Sequence, residues 1–326
     1  MLKGWLRCWS IAGLFALLSG CANDVRVMVS ELDQELVTVE LTETPFYPQV
    51  TDQCGPSALA ATLNVSGVSV TPETLKSQIY IPGREGALQI ELFAATRGYE
   101  RIPYLIEPDV TALLAELRSS RPVLVLQNLG TKIAPIWHYA VVVGYLPEKK
   151  QFVLRSGDQQ RHLVKASRFI RTWRGAEYWG MVTLLPGELP ASPDADKYIR
   201  SVAAIESNGD AESALAGYLT ATDRWPGNLL AWLGLGNTYY AQGDLDSAEQ
   251  AYDRLLTIDS NHAVALNNLS QVQTDQGCFE EAAMSLDAAL AAAKSNKRLV
   301  EVILRTRAET GKRHSTAVCI ETHPLR

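Results

Sequence analysis

A 34-residue period constrains the second half of this chain more than any other feature: Gly209, Gly243 and Gly277 recur at that interval, as do Ala214, Ala248 and Ala282. Tyr198, Trp232 and Leu266 share a third place in the period, and Tyr218, Tyr252 and Leu286 a fourth. Small residues set against aromatics at this spacing mark a helix pair that cannot bury its apolar face alone. Neighbouring units must therefore stack into one continuous core. Three units over residues 195–296 and a capping helix from Arg298 to Thr310 account for residues 195–312, and the tail 313–326 carries no motif.

Within the second unit, Trp232, Leu235, Gly236 and Tyr239 resemble the large-x-x-Leu-Gly-x-x-Tyr signature of a tetratricopeptide repeat. Such repeats do no chemistry. The resemblance implies a concave helical surface that docks an extended peptide or a protein partner.

The first half is organised around Cys54-Gly55-Pro56-Ser57-Ala58-Leu59-Ala60-Ala61. A thiol directly before a run of helix formers sits at a helix N-terminus, where unpaired N–H groups and the macrodipole favour a thiolate. Cys54 is thus a candidate nucleophile, set against the commoner fate of a small buried hydrophobe. Downstream, helices are expected over Thr71–Ile79, Ala87–Arg97 and Pro108–Ser119. Strands are expected over Tyr99–Ile106, Pro122–Gln127, Trp137–Tyr145, Gln151–Arg155 and Trp179–Leu185. Helices lead and strands follow, which predicts an α+β domain. His138 opens the most apolar of these strands, so its ring projects from a rigid edge. A thiolate and an imidazole held on opposing elements are what nucleophilic catalysis needs. His162, in the polar stretch Gln159–His162, reads as surface.

At 326 residues the chain is long enough for two domains. Charges make up 20% of it, mixed in sign, with a net charge of −6, so neither a nucleic-acid surface nor a polybasic membrane surface is indicated. Residues 1–21 read as a targeting segment, with Lys3 and Arg7 ahead of a short apolar run, Ile11–Leu18, and the box Leu18-Ser19-Gly20-Cys21. That box resembles a bacterial lipoprotein cleavage signal, which implies Cys21 as the lipidated first residue. With Ala22 and Asn23 following and no aspartate after Cys21, it also implies a place on the periplasmic side of the outer membrane. A lipid anchor would be the only membrane attachment. Residues 22–44 read as a polar leader, either a spacer or an edge strand through Leu36–Leu41. Residues 188–194 read as a Pro-rich linker. Cys278 and Cys319 are candidates for pairing in an oxidising compartment.

Pro48-Gln49, Cys54–Leu59 and His138-Tyr139-Ala140-Val141-Val142-Val143-Gly144-Tyr145 together resemble the bacteriocin-processing, double-glycine class of papain-like cysteine peptidases over residues 45–187. The resemblance implies an α+β papain-like domain with Cys54 as nucleophile and His138 as general base and acid. Gln49 and the Cys54 N–H would be the oxyanion donors, and no cofactor is implied. Gln49 lies one residue closer to Cys54 than the family pattern expects, which leaves Gln53 as an alternative donor. The family's orienting Asp-Pro is absent. Asp158 or Ser156 then falls to orient the imidazole, or the dyad works without a third group. The expected function is a lipid-anchored cysteine peptidase whose repeats dock a protein substrate or partner. The alternatives are an inactive peptidase-fold adaptor and, less favoured, an acyl or amide transferase using the same dyad.

Overall fold

The computed structural model describes residues 20–32, 34–49, 53–81, 83 and 87–313. The chain divides into two compact units within residues 185–194: the first runs to Leu185 and includes Leu189–Pro193, and the second takes Pro186–Glu188 and the chain from Asp194 onward.

The first unit contains helices α1 (Gly20–Leu32), α2 (Cys54–Val65), α3 (Pro72–Ile79), α4 (Gln89–Gly98), α5 (Val110–Arg118) and α6 (Ala166–Arg174). Its strands are β1 (Val39–Glu40), β2 (Ile102–Leu105), β3 (Val123–Asn128), β4 (Trp137–Leu146), β5 (Gln151–Ser156), β6 (Gln159–Lys165) and β7 (Gly180–Leu184). They pair antiparallel in the order β2-β7-β3-β4-β5-β6, with β1 alongside β4. Strands β3 and β4 read as unbroken apolar runs because both faces of the sheet are covered. On one face α2 lays Ala58, Leu59 and Leu63 against Leu124, Leu126, Val141 and Val143. On β5, Phe152 packs tilted against Phe169 of α6 with ring centroids 4.5 Å apart, and Phe169 stacks on Trp173 at 5.6 Å. Helix α2 is buried from Gly55 to Leu63, and its small side chains let it lie flush on the sheet.

The expected helices and strands of residues 71–185 form, with ends shifted by a few residues. Residues 159–174 add elements beyond those expected: the stretch read as polar surface is exposed at Gln159–Arg161 but forms strand β6, followed by α6, whose Phe169, Ile170 and Trp173 are buried. Residues 22–44 also do more than space the chain. Helix α1 packs against α5 and α6, and β1 supplies the edge-strand alternative by pairing Val39 with Tyr145 and Glu40 with Gly144. A Cβ on Gly144 would lie 2.4 Å from the Val39 carbonyl oxygen, so this pairing requires glycine there. Arg155, buried in β5, donates to the carbonyls of Thr44 at 3.1 Å, Thr42 at 3.0 Å and Gln160 at 2.5 Å, which clamps the incoming chain to the sheet. The targeting segment lies outside the described residues up to position 19; Gly20 and Cys21 open α1.

The second unit is a run of helices: α7 (Ala195–Glu206), α8 (Ala211–Arg224), α9 (Leu229–Gln242), α10 (Leu245–Ile258), α11 (Ala263–Gln276), α12 (Phe279–Ala292) and α13 (Lys297–Arg313). Helices α7, α9, α11 and α13 each start 34 residues after the last, as do α8, α10 and α12. Asp194, Asp210, Asn228 and Asp244 cap four N-termini by accepting the N–H three residues on. Gly243 and Gly277 close α9 and α11 in the left-handed region, at φ 79° and 85°. The small–aromatic pairing is steric: a Cβ on Gly234 would lie 2.3 Å from the Tyr218 ring. Cys278 takes part in a disulfide; Cys319, the partner considered above, lies outside the described residues.

Candidate active site

Cys54 is the first residue of α2 and is a free cysteine. The residue before it, Gln53, makes no side-chain cap, so no side chain of the capping residue occupies the first-turn N–H groups around Cys54. The thiol lines a cavity of about 480 Å³ whose wall includes Ala87, Leu126, Trp137, Tyr139 and Glu177. Burial first, and the Cys54 charge second, hold the Tyr139 phenol far above its ordinary range, so it stays a neutral hydroxyl.

His138 lies between Trp137 and Tyr139 on β4, opposite Gln127 of β3. Its Nε2 is 2.8 Å from the Ser156 hydroxyl. Ser156 ends β5 where the β5–β6 register shifts between Leu154 and Ser156, an irregularity of the kind that re-aims a side chain. Burial, then the nearby charge of His162, lowers the His138 pKa below its ordinary value, so the ring is neutral at neutral pH. For Nδ1 to accept a proton, Nε2–H must donate to Ser156, which makes Ser156 the group that selects the tautomer. Asp158 is exposed in the turn after Gly157 and makes no hydrogen bond among the described residues. Of the two candidate orienting groups, the geometry therefore brings Ser156, not Asp158, to the ring.

Gln49 bridges β4 and the turn after β5. Its Nε2 donates to the Tyr139 carbonyl at 3.2 Å, its Oε1 accepts the Gly157 N–H at 2.9 Å, and its own N–H donates to the Gly157 carbonyl at 2.8 Å. With the amide oxygen held by Gly157, the orientation of the group is fixed and its second N–H is left over to donate. Gln53 makes no such contacts. The structure does not join Cys54 and His138 by a hydrogen bond. It brings Cys54 to Tyr139, the next residue of β4, and in the strand's alternation His138 leans the other way, toward Ser156.

Sequence reasoning passed over two features here. His162 was read as surface, yet its charge bears on His138, and its own Nδ1 lies 2.7 Å from Gln159 Oε1. The usable signal was Gly157-Asp158, a two-residue hairpin loop between runs, with Gly157 at φ 61°. Glu177, on the cavity wall, belongs to a loop with no motif. Among the described residues no cluster of three or more His, Cys, Asp or Glu could hold a metal ion, and no helix is long and apolar enough to cross a membrane.

An α+β domain carrying a cysteine at a buried helix start and a histidine at the end of a central strand, followed by 34-residue helix pairs, defines a two-part class of protein. Residues 41–181 match the Peptidase_C39 like family, and residues 206–263 match the tetratricopeptide repeat. The chain thus joins a C39-peptidase-like domain to tetratricopeptide repeats. Among solved structures, a C39-like peptidase from Bacillus anthracis is 16% identical, covering 46% of this chain and 98% of its own, with a TM-score of 0.38. The Yersinia enterocolitica type III secretion chaperone SycD, in complex with a peptide of the translocator YopD, is 17% identical over 36% of this chain and 90% of its own, with a TM-score of 0.35. The first tetratricopeptide domain of Spaghetti (RPAP3) bound to an HSP90 peptide is 14% identical over 36% of this chain and 93% of its own, with a TM-score of 0.33. Comparison with curated proteins returns no match.

Proposed function

We propose that the first unit is a cysteine peptidase using Cys54 and His138, and that the repeats dock the protein it acts on or a partner protein. The observation that carries this reading is the 2.8 Å contact of His138 Nε2 with Ser156, which leaves Nδ1 as the free basic nitrogen of a strand-held imidazole. Cys54 Sγ attacks the peptide carbonyl while its proton passes to Nδ1 of His138. The Cys54 N–H and the spare Gln49 N–H hold the oxyanion. Collapse expels the amine, protonated by His138, and water then cleaves the thioester. Because His138 lies next to Ser156 and away from Cys54 in the strand's alternation, the proton transfer requires a rearrangement at the start of β4 that turns the imidazole toward the sulfur when substrate binds.

Ser156 is a positioning residue in this scheme, supplying orientation without the negative charge of a carboxylate. We further propose that Cys21 carries lipid and holds the protein to the periplasmic face of the cell envelope, at the outer membrane. The test is alkylation of Cys54 by iodoacetamide in the full-length chain between pH 5 and 9, compared with His138→Ala, alongside mass-spectrometric cleavage profiling of a peptide library. Fast alkylation at neutral pH that slows in His138→Ala, with cleavage lost in both His138→Ala and Cys54→Ala, is the expected result. Sluggish alkylation indifferent to His138, with no cleavage, would favour a peptide-binding adaptor.

A further inference from the structure

We infer that Glu177 makes the cavity beside Cys54 selective for a substrate with a cationic side chain, Lys or Arg, next to the scissile bond. This rests on the peptidase reading above and departs from the small-residue pairs its family resemblance implies. Glu177 is the only charged side chain among the described residues of the cavity wall, which is otherwise built of Ala87, Leu88, Leu126, Trp137 and other uncharged residues. Its carboxylate is exposed and makes no ion pair or hydrogen bond among the described residues, so its charge is unspent.

The turn that presents Glu177 is held firmly. Glu177 and Tyr178 lie at φ 55° and 56°, a left-handed conformation that side chains other than glycine adopt at a cost. They stay there because the core dictates it. The Glu177 N–H donates to the Arg174 carbonyl at 3.0 Å, and the Tyr178 N–H to the Trp173 carbonyl at 3.1 Å. Buried Trp173 donates from its indole to the Trp179 carbonyl at 2.9 Å and meets the Tyr178 ring edge-on at 5.3 Å. Strain over-determined in this way points to a position whose side chain has a task. Across the cavity Trp137, 54% exposed, offers an indole face to a cation. The Ala87 and Leu88 wall suits the methylene stem of Lys or Arg, whose charged end then meets Glu177 and Trp137.

The test uses three methanethiosulfonates on the full-length chain, bearing a trimethylammonium, a sulfonate or no charge. Modification of Cys54 is followed by peptide mass mapping, and rates are normalised to glutathione. The cationic reagent is expected to outpace the anionic one by about fivefold at low ionic strength. Glu177→Gln should remove that preference, Glu177→Lys should invert it, and in both the neutral reagent should react as in the parent. Peptides with Lys or Arg beside the cleaved bond should lose their advantage in kcat/KM over neutral ones in Glu177→Gln. Equal rates for all three reagents in the parent would overturn the selectivity while leaving the reactive thiol in place. Failure of even the neutral reagent to modify Cys54 would overturn the peptidase reading and the selectivity with it.

Discussion

The two units solve the same packing problem over very different distances along the chain. In the repeats the closest fits are local: the Tyr218 ring fills the space left by Gly234, one helix along. In the peptidase-like unit the decisive contacts are remote, as when Gln49 holds Gly157 from 108 residues away and Arg155 clamps Thr44 from 111. Local packing makes stability close to a sum over neighbours. Remote packing can make a site, because separate elements must agree before Gln49 meets Gly157 and His138 meets Ser156. Long-range contacts can gather distant residues into one place, whereas local repeats build a periodic surface.

The contrast is open to direct attack, starting where the effect is largest. Cys54→Ala should lower peptide turnover by a factor of about 10³ or more, with the thermal unfolding midpoint near that of the parent, since little volume is lost. A variant with appreciable turnover would mean another nucleophile. Gly234→Leu should leave Cys54 alkylation untouched but destabilise the array by about 3 kcal/mol through overpacking against Tyr218, read by urea unfolding. If the peptidase-like unit lost stability in step with the array, the picture of separate packing would fail.

Smaller effects probe the site's third member. Ser156→Ala should cut kcat/KM by about tenfold with KM unchanged, the scale expected when an imidazole loses its orienting partner but not its charge balance. Ser156→Asp should restore or exceed parental activity, and unchanged activity in both variants would favour a working dyad alone. The smallest effect is on pH. His138 must be neutral to act as a base, so activity falls as pH drops through its folded pKa, which burial and His162 hold below the ordinary value near 6.5. His162→Gln should move that acid limb upward by a few tenths of a pH unit, following removal of a nearby positive charge. Stability carries the same sign. With the folded pKa below the unfolded one, the His138 contribution is intact above about pH 6.5 and is lost as pH falls through the folded pKa.

The repeat array was nearly all legible in sequence, because each helix pair restates its small and aromatic positions at a fixed interval. In the peptidase-like unit, Cys54 and His138 stood out because a cysteine before a buried alanine-rich run and a histidine before an apolar strand each announce their element. What stayed hidden depended on pairing. Whether Ser156 or Asp158 meets the imidazole turns on one register shift at the end of β5, which no residue in the segment declares. Strand β6 was concealed because Gln159, Gln160 and Arg161 face solvent and dilute its alternation. Glu177 was invisible because its importance comes from the cavity, which exists only once α2, β4 and the turn after α6 have met.

The first two repeats divide their bulk differently. In the first, Val202 on α7 fills the place beside Gly217 on α8; in the second, Gly236 on α9 opens the place occupied by the Tyr252 ring of α10. Exchanging only the leading helix between them would drive Val202 into the ring of Tyr252 and leave a hole beside Gly217. The unit that recombination can duplicate, delete or trade is therefore the complete helix pair, and the array's history is written in steps of 34 residues rather than in single helices.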